Sequence, residues 1–499
     1  MLAVLEIAIP ALYAISIAVL LAYGGNLFWL AAVHVQNESL EEGPVPDPDA
    51  LPVPDASWPT VTVQLPLYNE AAVVDRLIDT CAALDYPARK LEIQVLDDST
   101  DGTVERVAER VAYWQDQGVD IVHIHRTDRT GYKAGALANG LRIARGEFIA
   151  VFDADFLPPP TYLRRVIPHF DDDVGMVQAR WGHINDTHSL LTEVQAFGLD
   201  AHFALEQHSR VQSGCFMNFN GTAGVWRREC IDDAGGWQHD TLTEDLDLSY
   251  RAQLKGWTFQ YLPRVEVPAE LPADMNALRT QQFRWTKGAV ETALKLLRRL
   301  WRSDVSSRIK GEGTFHLTAH FTFPFILLAA ITHAPLLVLK HFEYGPGDIY
   351  FGVMGIGLLG FAGFFLAQLF AQRSLYPDWP RRLRLFPIFM AGSMGLSLSN
   401  TQALWQALRG KKTAFVRTPK YGETPDGQWW TSRYAIPEIP RVVWGEALLA
   451  LYCTLGLGAV IVMGEWAAIP FQALFAAGFV LVTVSNVQQV RAVRQAALA

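Results

Sequence analysis

Val61-Thr62-Val63-Gln64-Leu65-Pro66-Leu67 and Leu91-Glu92-Ile93-Gln94-Val95-Leu96 are two short runs rich in β-branched and aliphatic residues, each the length of a strand. Between them Val73, Val74, Leu77, Ile78, Cys81 and Leu84 recur at i, i+3, i+4 spacing, the single apolar face of a helix. Asn69 stands where that helix would take its N-cap. Further β-branched or aromatic runs at 119–125, 148–152 and 174–178 continue the alternation. Strand, helix, strand predicts an α/β domain with a Rossmann-like, mostly parallel sheet. In such sheets ligands bind beyond the carboxyl ends of the strands.

The rest of the chain departs from a soluble composition. Half of its 499 residues are apolar and 19% are charged, against about 25% charged in soluble domains. Residues 7–37, 313–339, 349–372, 447–464 and 466–490 contain no Asp, Glu, Lys or Arg, and about 20 apolar residues cross a bilayer. A purely soluble protein is excluded. The net charge of −9 argues against nucleic acid as a partner. The four cysteines form no C-x-x-C pair and read as reduced thiols. Residues 7–37 lack a basic stretch before them and a small-residue cleavage site, so they read as a retained anchor.

The expected organisation starts with a transmembrane helix in 1–37, a Pro-rich linker in 38–59 and the α/β domain in 60–285. An amphipathic interfacial helix follows in 286–312, then two transmembrane helices in 313–372. Residues 373–425 hold an interfacial helix and a loop, and 426–499 a linker and two further transmembrane helices. On the amphipathic helix Val290, Leu294, Leu297 and Trp301 make one face, and Lys287, Lys295, Arg298, Arg299 and Arg302 the other. That pattern suits the headgroup plane. Residues 385–408 are uncharged but rich in Ser, Asn and Gln, which favours an interfacial or re-entrant segment over a span. Basic residues cluster in the α/β domain, at 373–384, at 409–420 and at Arg491 and Arg494, and are nearly absent around 341–348 and 465. The positive-inside rule therefore puts the α/β domain in the cytoplasm of a multi-pass protein.

Three acidic signatures follow strands or lie in loops: Asp97-Asp98, Asp153-Ala154-Asp155 and Thr243-Glu244-Asp245. A D-x-D pair alone means little, but Asp153 and Asp155 terminate the run 148–152 and so face the ligand crevice. One or two carboxylates plus substrate phosphates make a Mg²⁺ or Mn²⁺ site. Lys133 stands at the start of a helix, where backbone N–H groups also attract anions. Asp245 reads as a general base, with its acidic neighbours capping or orienting. His123 and His125 are assigned to opposite faces of their strand, which separates them from a shared metal role.

Seven motifs occur together in order: Leu65-Pro66-Leu67-Tyr68-Asn69-Glu70, Leu96-Asp97-Asp98-Ser99-Thr100-Asp101, Gly131-Tyr132-Lys133-Ala134-Gly135, Asp153-Ala154-Asp155-Phe156, Phe219-Asn220-Gly221-Thr222-Ala223-Gly224, Thr243-Glu244-Asp245 and Gln281-Gln282-Phe283-Arg284-Trp285. Over about 61–420 the chain resembles the processive β-glycosyltransferases of family 2. These include bacterial cellulose synthase and, more closely, the plant cellulose-synthase-like mannan and glucan synthases. The acceptor loop Phe219-Asn220-Gly221-Thr222 follows the mannan and glucan version.

The resemblance implies a GT-A type domain and an inverting transfer. By it, Tyr68, Glu70 and Asp98 hold the nucleotide base and ribose, and Lys133 and Asp153 contact the diphosphate. Asp155 binds Mg²⁺ or Mn²⁺, and Asp245 deprotonates the acceptor hydroxyl. Arg284 steadies the departing diphosphate, Gln281 belongs to the same motif, and Trp285 is the platform under the terminal acceptor sugar. Phe415-Val416-Arg417-Thr418-Pro419-Lys420 resembles the cellulose synthase gating loop, with Thr418 and Lys420 reaching the diphosphate; Arg417 departs from that pattern. The implied enzyme takes hexose from UDP-glucose or GDP-mannose, extends a β-linked, β-1,4 polysaccharide and passes it across a bacterial inner membrane or a Golgi-type membrane. Its partners are the nucleotide sugar, the polysaccharide acceptor, the lipid bilayer and accessory or export subunits. The alternative is a single transfer to a lipid, as in ceramide glucosyltransferase, where Gln281, Arg284 and Trp285 have counterparts too. Intact Asp98, Asp155, Asp245 and Arg284 argue against a non-catalytic scaffold.

Overall fold

The computed structural model describes residues 2–37, 57–422, 429–432 and 434–496. Most of the expected linker, 38–56, lies outside the described residues. Among the described residues seven strands, β1 (Val61–Leu67), β2 (Leu91–Asp97), β3 (Ile121–His125), β4 (Phe148–Val151), β5 (Val174–His183), β6 (Gly224–Arg227) and β7 (Thr258–Ala269), form one sheet in the order β3-β2-β1-β4-β6-β5-β7. Only β6 runs against its neighbours. The first three strands and β4 pair in parallel, as the sequence predicts.

Both faces of the sheet are covered, so β1 and β2 are buried along nearly their whole length. Polar side chains bond across the pair: Thr62 Oγ1 donates to Glu92 Oε2 at 2.6 Å and Gln64 Nε2 to Gln94 Oε1 at 3.0 Å. Six strands end at one edge of the sheet, and β6 begins there. The residues that follow β1, β2, β3, β4, β5 and β7, and those that precede β6, therefore share one crevice.

Among the described residues, five helices are long and apolar enough to cross a membrane: Val4–Asn37, Ser307–His341, Asp348–Leu375, Val442–Val462 and Trp466–Ala496. The first and third pack closely, because a Cβ on Gly24 would lie 2.3 Å from the Gly360 carbonyl oxygen; small residues permit such contact. The uncharged stretch 385–408 is two short helices, Phe386–Gly395 and Ser397–Leu408.

Four local expectations change. A single helix, Met275–Arg302, runs through the expected boundary at 285, so Gln281, Arg284 and Trp285 lie on it. Its faces are also rotated: Lys287 is fully buried, donating to the Lys411 carbonyl and to Thr413 Oγ1 at 2.6 Å, while Leu294 and Trp301 are exposed. Asn69 does not cap the helix Val74–Ala82. It adopts a positive φ of 56°, and its Oδ1 accepts from the Thr100 N–H at 2.8 Å, joining the ends of β1 and β2. His123 and His125 share one face, as residues two apart on a strand do, with ring centroids 6.0 Å apart. They bond Asp97 and the Ser99 carbonyl respectively.

Two buried ionic links seat the sheet domain on the long apolar helices. Arg279 Nη2 donates to Glu446 Oε2 at 2.6 Å. Asp200 accepts from Gln372 Nε2 at 3.0 Å and Arg382 Nη2 at 3.4 Å, and its other oxygen pairs with His183 Nε2 at 3.0 Å.

Candidate active site

One crevice at the carboxyl edge, a cavity of about 170 Å³, is lined by all twelve residues singled out in the sequence: Tyr68, Glu70, Asp98, Lys133, Asp153, Asp155, Asp245, Gln281, Arg284, Trp285, Thr418 and Lys420. They come from seven separate segments that only the tertiary fold brings together.

At one end lie the residues following β1, β2 and β3. Asp98 accepts two hydrogen bonds from Arg126, from Nε at 2.7 Å and Nη2 at 2.5 Å. The Arg129 guanidinium lies over the Tyr68 ring, 3.3 Å from its centroid.

In the middle, Lys133 leaves the first turn of the helix Tyr132–Ile143, behind the left-handed Gly131. Its Nζ donates to Asp153 and, at 2.8 Å, to the Gly221 carbonyl. Burial opposes its charge, but Asp153 and Glu244 outweigh that and hold its pKa above the ordinary lysine value. The Asp155 carboxylate is buried and accepts from Lys420 Nζ at 2.5 Å and the Glu270 N–H at 3.2 Å. Burial raises its pKa against the opposing pull of Lys420. Glu70 is raised likewise by burial, opposed by Arg417, whose Nη1 donates to it at 2.6 Å. The residues present fit a divalent cation bound jointly with phosphates. No group of three or more His, Cys, Asp or Glu side chains forms a cage among the described residues, and one or two carboxylates with substrate phosphates is the usual Mg²⁺ arrangement.

At the far end, Asp245 sits in the first turn of the helix Glu244–Gln253. Its Oδ1 accepts from the Leu246 N–H at 2.8 Å. Burial, reinforced by the adjacent Glu244, pushes its pKa up to about 7. Gly221, at φ +82°, allows this approach, because a Cβ there would stand 3.0 Å from Asp245 Oδ2. Arg284 Nη1 donates to the Val416 carbonyl at 3.2 Å, and its guanidinium lies 4.5 Å from the Phe415 ring centroid. Asp245, Gln281 and Trp285 also line a second cavity, of about 420 Å³, which runs on to Phe323, Phe389, Ser393 and Val482 of the apolar helices Thr322–His341, Phe386–Gly395 and Ile469–Ala496.

The loop 411–422 closes over the crevice. Thr418 is buried, and its Oγ1 has no hydrogen-bond partner among the described residues. Tyr421 OH donates to Asp274 Oδ2 at 2.6 Å, and Asp274 caps the helix that carries Arg284. Sequence reading did not single out Glu270, whose carbonyl accepts from Lys420 Nζ at 3.1 Å and whose carboxylate pairs with Arg76. It follows β7, a strand interrupted by Pro263 and charged residues that gave no clear alternation. Arg417 carried a signal only as a departure from the gating-loop pattern.

Residues 59–288 match the family described as Glycosyltransferase like family 2. Over 409 residues the chain is 33% identical to glucomannan 4-beta-mannosyltransferase 7 of Arabidopsis thaliana, covering 80% of this chain and 71% of that protein. The chain belongs to the family 2 glycosyltransferases. It is also 42% identical over 294 residues to glucomannan 4-beta-mannosyltransferase 1 of rice, Oryza sativa subsp. japonica. That match covers 58% of this chain, and the chain spans little more than half, 55%, of the rice protein. Among solved structures, the mannosyltransferase PcManGT from Pyrobaculum calidifontis, in complex with GDP-Man and Mn²⁺, aligns with a TM-score of 0.54 at 20% identity. It covers 81% of this chain and 100% of its own, and shares the GT-A fold.

Proposed function

We propose that this family 2 glycosyltransferase is a membrane-embedded inverting hexosyltransferase that extends a β-linked polysaccharide from a nucleotide sugar and passes the product into the membrane. The observation that carries this reading is the junction at Asp245, Gln281 and Trp285. One cavity there holds the donor candidates and the other leads away toward the membrane helices. The second cavity is lined by His202, Asn218, Asn220 and Asn400 as well as by apolar residues, polar groups that suit sugar hydroxyls better than an acyl chain. Both plant relatives are named as 4-beta-mannosyltransferases, which favours mannose as the hexose and β-1,4 as the linkage.

In this reading Tyr68 and Asp98 face the nucleoside, and Lys133 and Asp153 face the diphosphate. Asp245 takes the proton of the acceptor hydroxyl as its oxygen bonds to the anomeric carbon and the bond from that carbon to the diphosphate breaks. One displacement inverts the centre, so an α-linked donor yields a β-linkage. A carboxylate with a pKa near 7 is well matched to this task, since a base works best when its pKa lies near the working pH. Arg284, desolvated and aimed into the crevice, neutralises charge on the departing diphosphate. A divalent ion held by Asp155 and the donor phosphates supplies further neutralisation when bound. Thr418 and Lys420 come from the loop that covers the crevice, and its closure excludes water during transfer. The five long apolar helices and the basic loops support a multi-pass topology with the sheet domain in the cytoplasm.

The test is purified protein in detergent with Mg²⁺ or Mn²⁺, offered radiolabelled GDP-mannose, UDP-glucose and other nucleotide sugars in turn. A high-molecular-weight product cleaved by a β-specific glycanase is expected. A product that partitions into organic solvent as a single-sugar lipid would replace this reading with glycolipid synthesis.

A further inference from the structure

Arg126 and Arg129 lie three residues apart beyond the end of β3, and their situations differ. Arg126 is consumed by the fold, with bonds to both oxygens of Asp98 and to the Tyr132 carbonyl at 3.1 Å. Arg129 lines the donor crevice. Its guanidinium lies 3.3 Å from the Tyr68 ring centroid and 5.0 Å from that of Tyr132. Its Nε is buried and has no hydrogen-bond partner among the described residues. A buried donor left unpaired calls for an explanation, and an aromatic ring against a guanidinium face leaves only its in-plane N–H groups free to bond.

We propose that Arg129 reads the donor's base and selects guanine, with Tyr68 holding the guanidinium in place. This rests on the nucleotide-sugar reading above and assigns the nucleotide. Guanine presents two adjacent acceptors, O6 and N7, that match two parallel guanidinium N–H groups. Uracil has no such pair, because each of its carbonyl oxygens adjoins the N3–H donor. Adenine offers N7 beside an amino donor, which repels one of the two N–H groups. Guanine also offers a carboxylate two adjacent donors, N1–H and the 2-amino group, but both oxygens of Asp98 are already engaged by Arg126. Tyr132 has a positive φ of 49° directly after left-handed Gly131, and this turn presents its ring to Arg129.

The test is calorimetric titration of the full chain in detergent with Mn²⁺ and each of GDP, UDP and 7-deaza-GDP, in which N7 is replaced by C–H. The wild-type protein should bind GDP about 5- to 100-fold more tightly than UDP, the range of one bidentate Arg–guanine contact. It should lose part of that advantage with 7-deaza-GDP. Arg129→Met should bind GDP and 7-deaza-GDP alike, at the UDP level, with UDP affinity unchanged; that unchanged value shows the pocket is intact. Arg129→Lys keeps the charge without the fork and should restore only a minor part. An unaltered GDP-to-UDP ratio in Arg129→Met, a wild-type preference for UDP, or equal loss of both nucleotides in the variant would each overturn the assignment. If neither nucleotide binds the wild-type protein, the nucleotide-sugar reading fails and takes this inference with it.

Discussion

Lys420 Nζ lies 2.5 Å from Asp155 Oδ2, so the last residue of the loop motif is the counter-ion of the carboxylate expected to hold the divalent metal. Arg417 stands in the same relation to Glu70 at 2.6 Å. The loop thus brings two cations to an acidic crevice that would otherwise hold buried, unpaired carboxylates, which are strongly disfavoured. In the proposed reading a metal–diphosphate donor would bring its own cation and release Lys420 to phosphate oxygens.

Replacing Lys420 with Met should therefore affect metal and turnover in opposite directions. Without nucleotide, Mn²⁺ should bind Asp155 more tightly, by roughly tenfold, or about 1.4 kcal/mol, because no ammonium competes. Synthesis should fall sharply at the same time. Titration calorimetry and a radiolabel assay read the two effects. Unchanged Mn²⁺ affinity would show that Lys420 and the ion occupy different places.

Asp245→Asn should reduce transfer by about 10²–10⁴-fold, the usual cost of losing a general base. Nucleotide binding should stay within a factor of a few, since the proposed reading places Asp245 at the acceptor end of the crevice. Residual activity near the wild-type level would remove Asp245 from the reaction.

The pH profile supplies a separate check. Burial, then Glu244, raises the Asp245 pKa to about 7, with Lys133 opposing. A base acts only when deprotonated, so if Asp245 is that base kcat/KM should rise with pH through about 7 and flatten above it. Glu244→Gln removes a like charge and should shift that acid limb to lower pH, leaving the burial contribution in place. A limb at the same pH in both proteins would mean that another group is titrating.

Gly221→Ala tests the approach of the acceptor loop to Asp245. A non-glycine residue in the left-handed region costs about 1–2 kcal/mol, and the added Cβ would press on Asp245 Oδ2 at 3.0 Å. A lower melting temperature and a loss of activity larger than the stability change accounts for are expected. Wild-type turnover in Gly221→Ala would indicate that Asp245 has room to move.

Local pattern determined much of this protein. Strand–helix–strand alternation after Thr60 specified the parallel half of the sheet, because alternating elements can bury their apolar faces only in layers. Uncharged stretches specified the five long apolar helices, because the length and composition of a span are written along the chain. Motif residues that follow a strand directly, Tyr68, Asp98, Asp153 and Asp155, were legible for the same reason. Tertiary structure alone decided the rest. The strand β6 is four residues long and carries no readable period, yet its reversed direction delivers Gly221 to the crevice. Lys287 looked like solvent-facing charge until the Lys411 carbonyl and Thr413 came to cover it. Arg129 was one more basic residue until Tyr68, 61 positions earlier, stood beneath it. The pairing of Lys420 with Asp155, 265 positions apart, depends on a loop folding back beneath the sheet edge. No local preference encodes such contacts, because they exist only once the elements that carry them have packed.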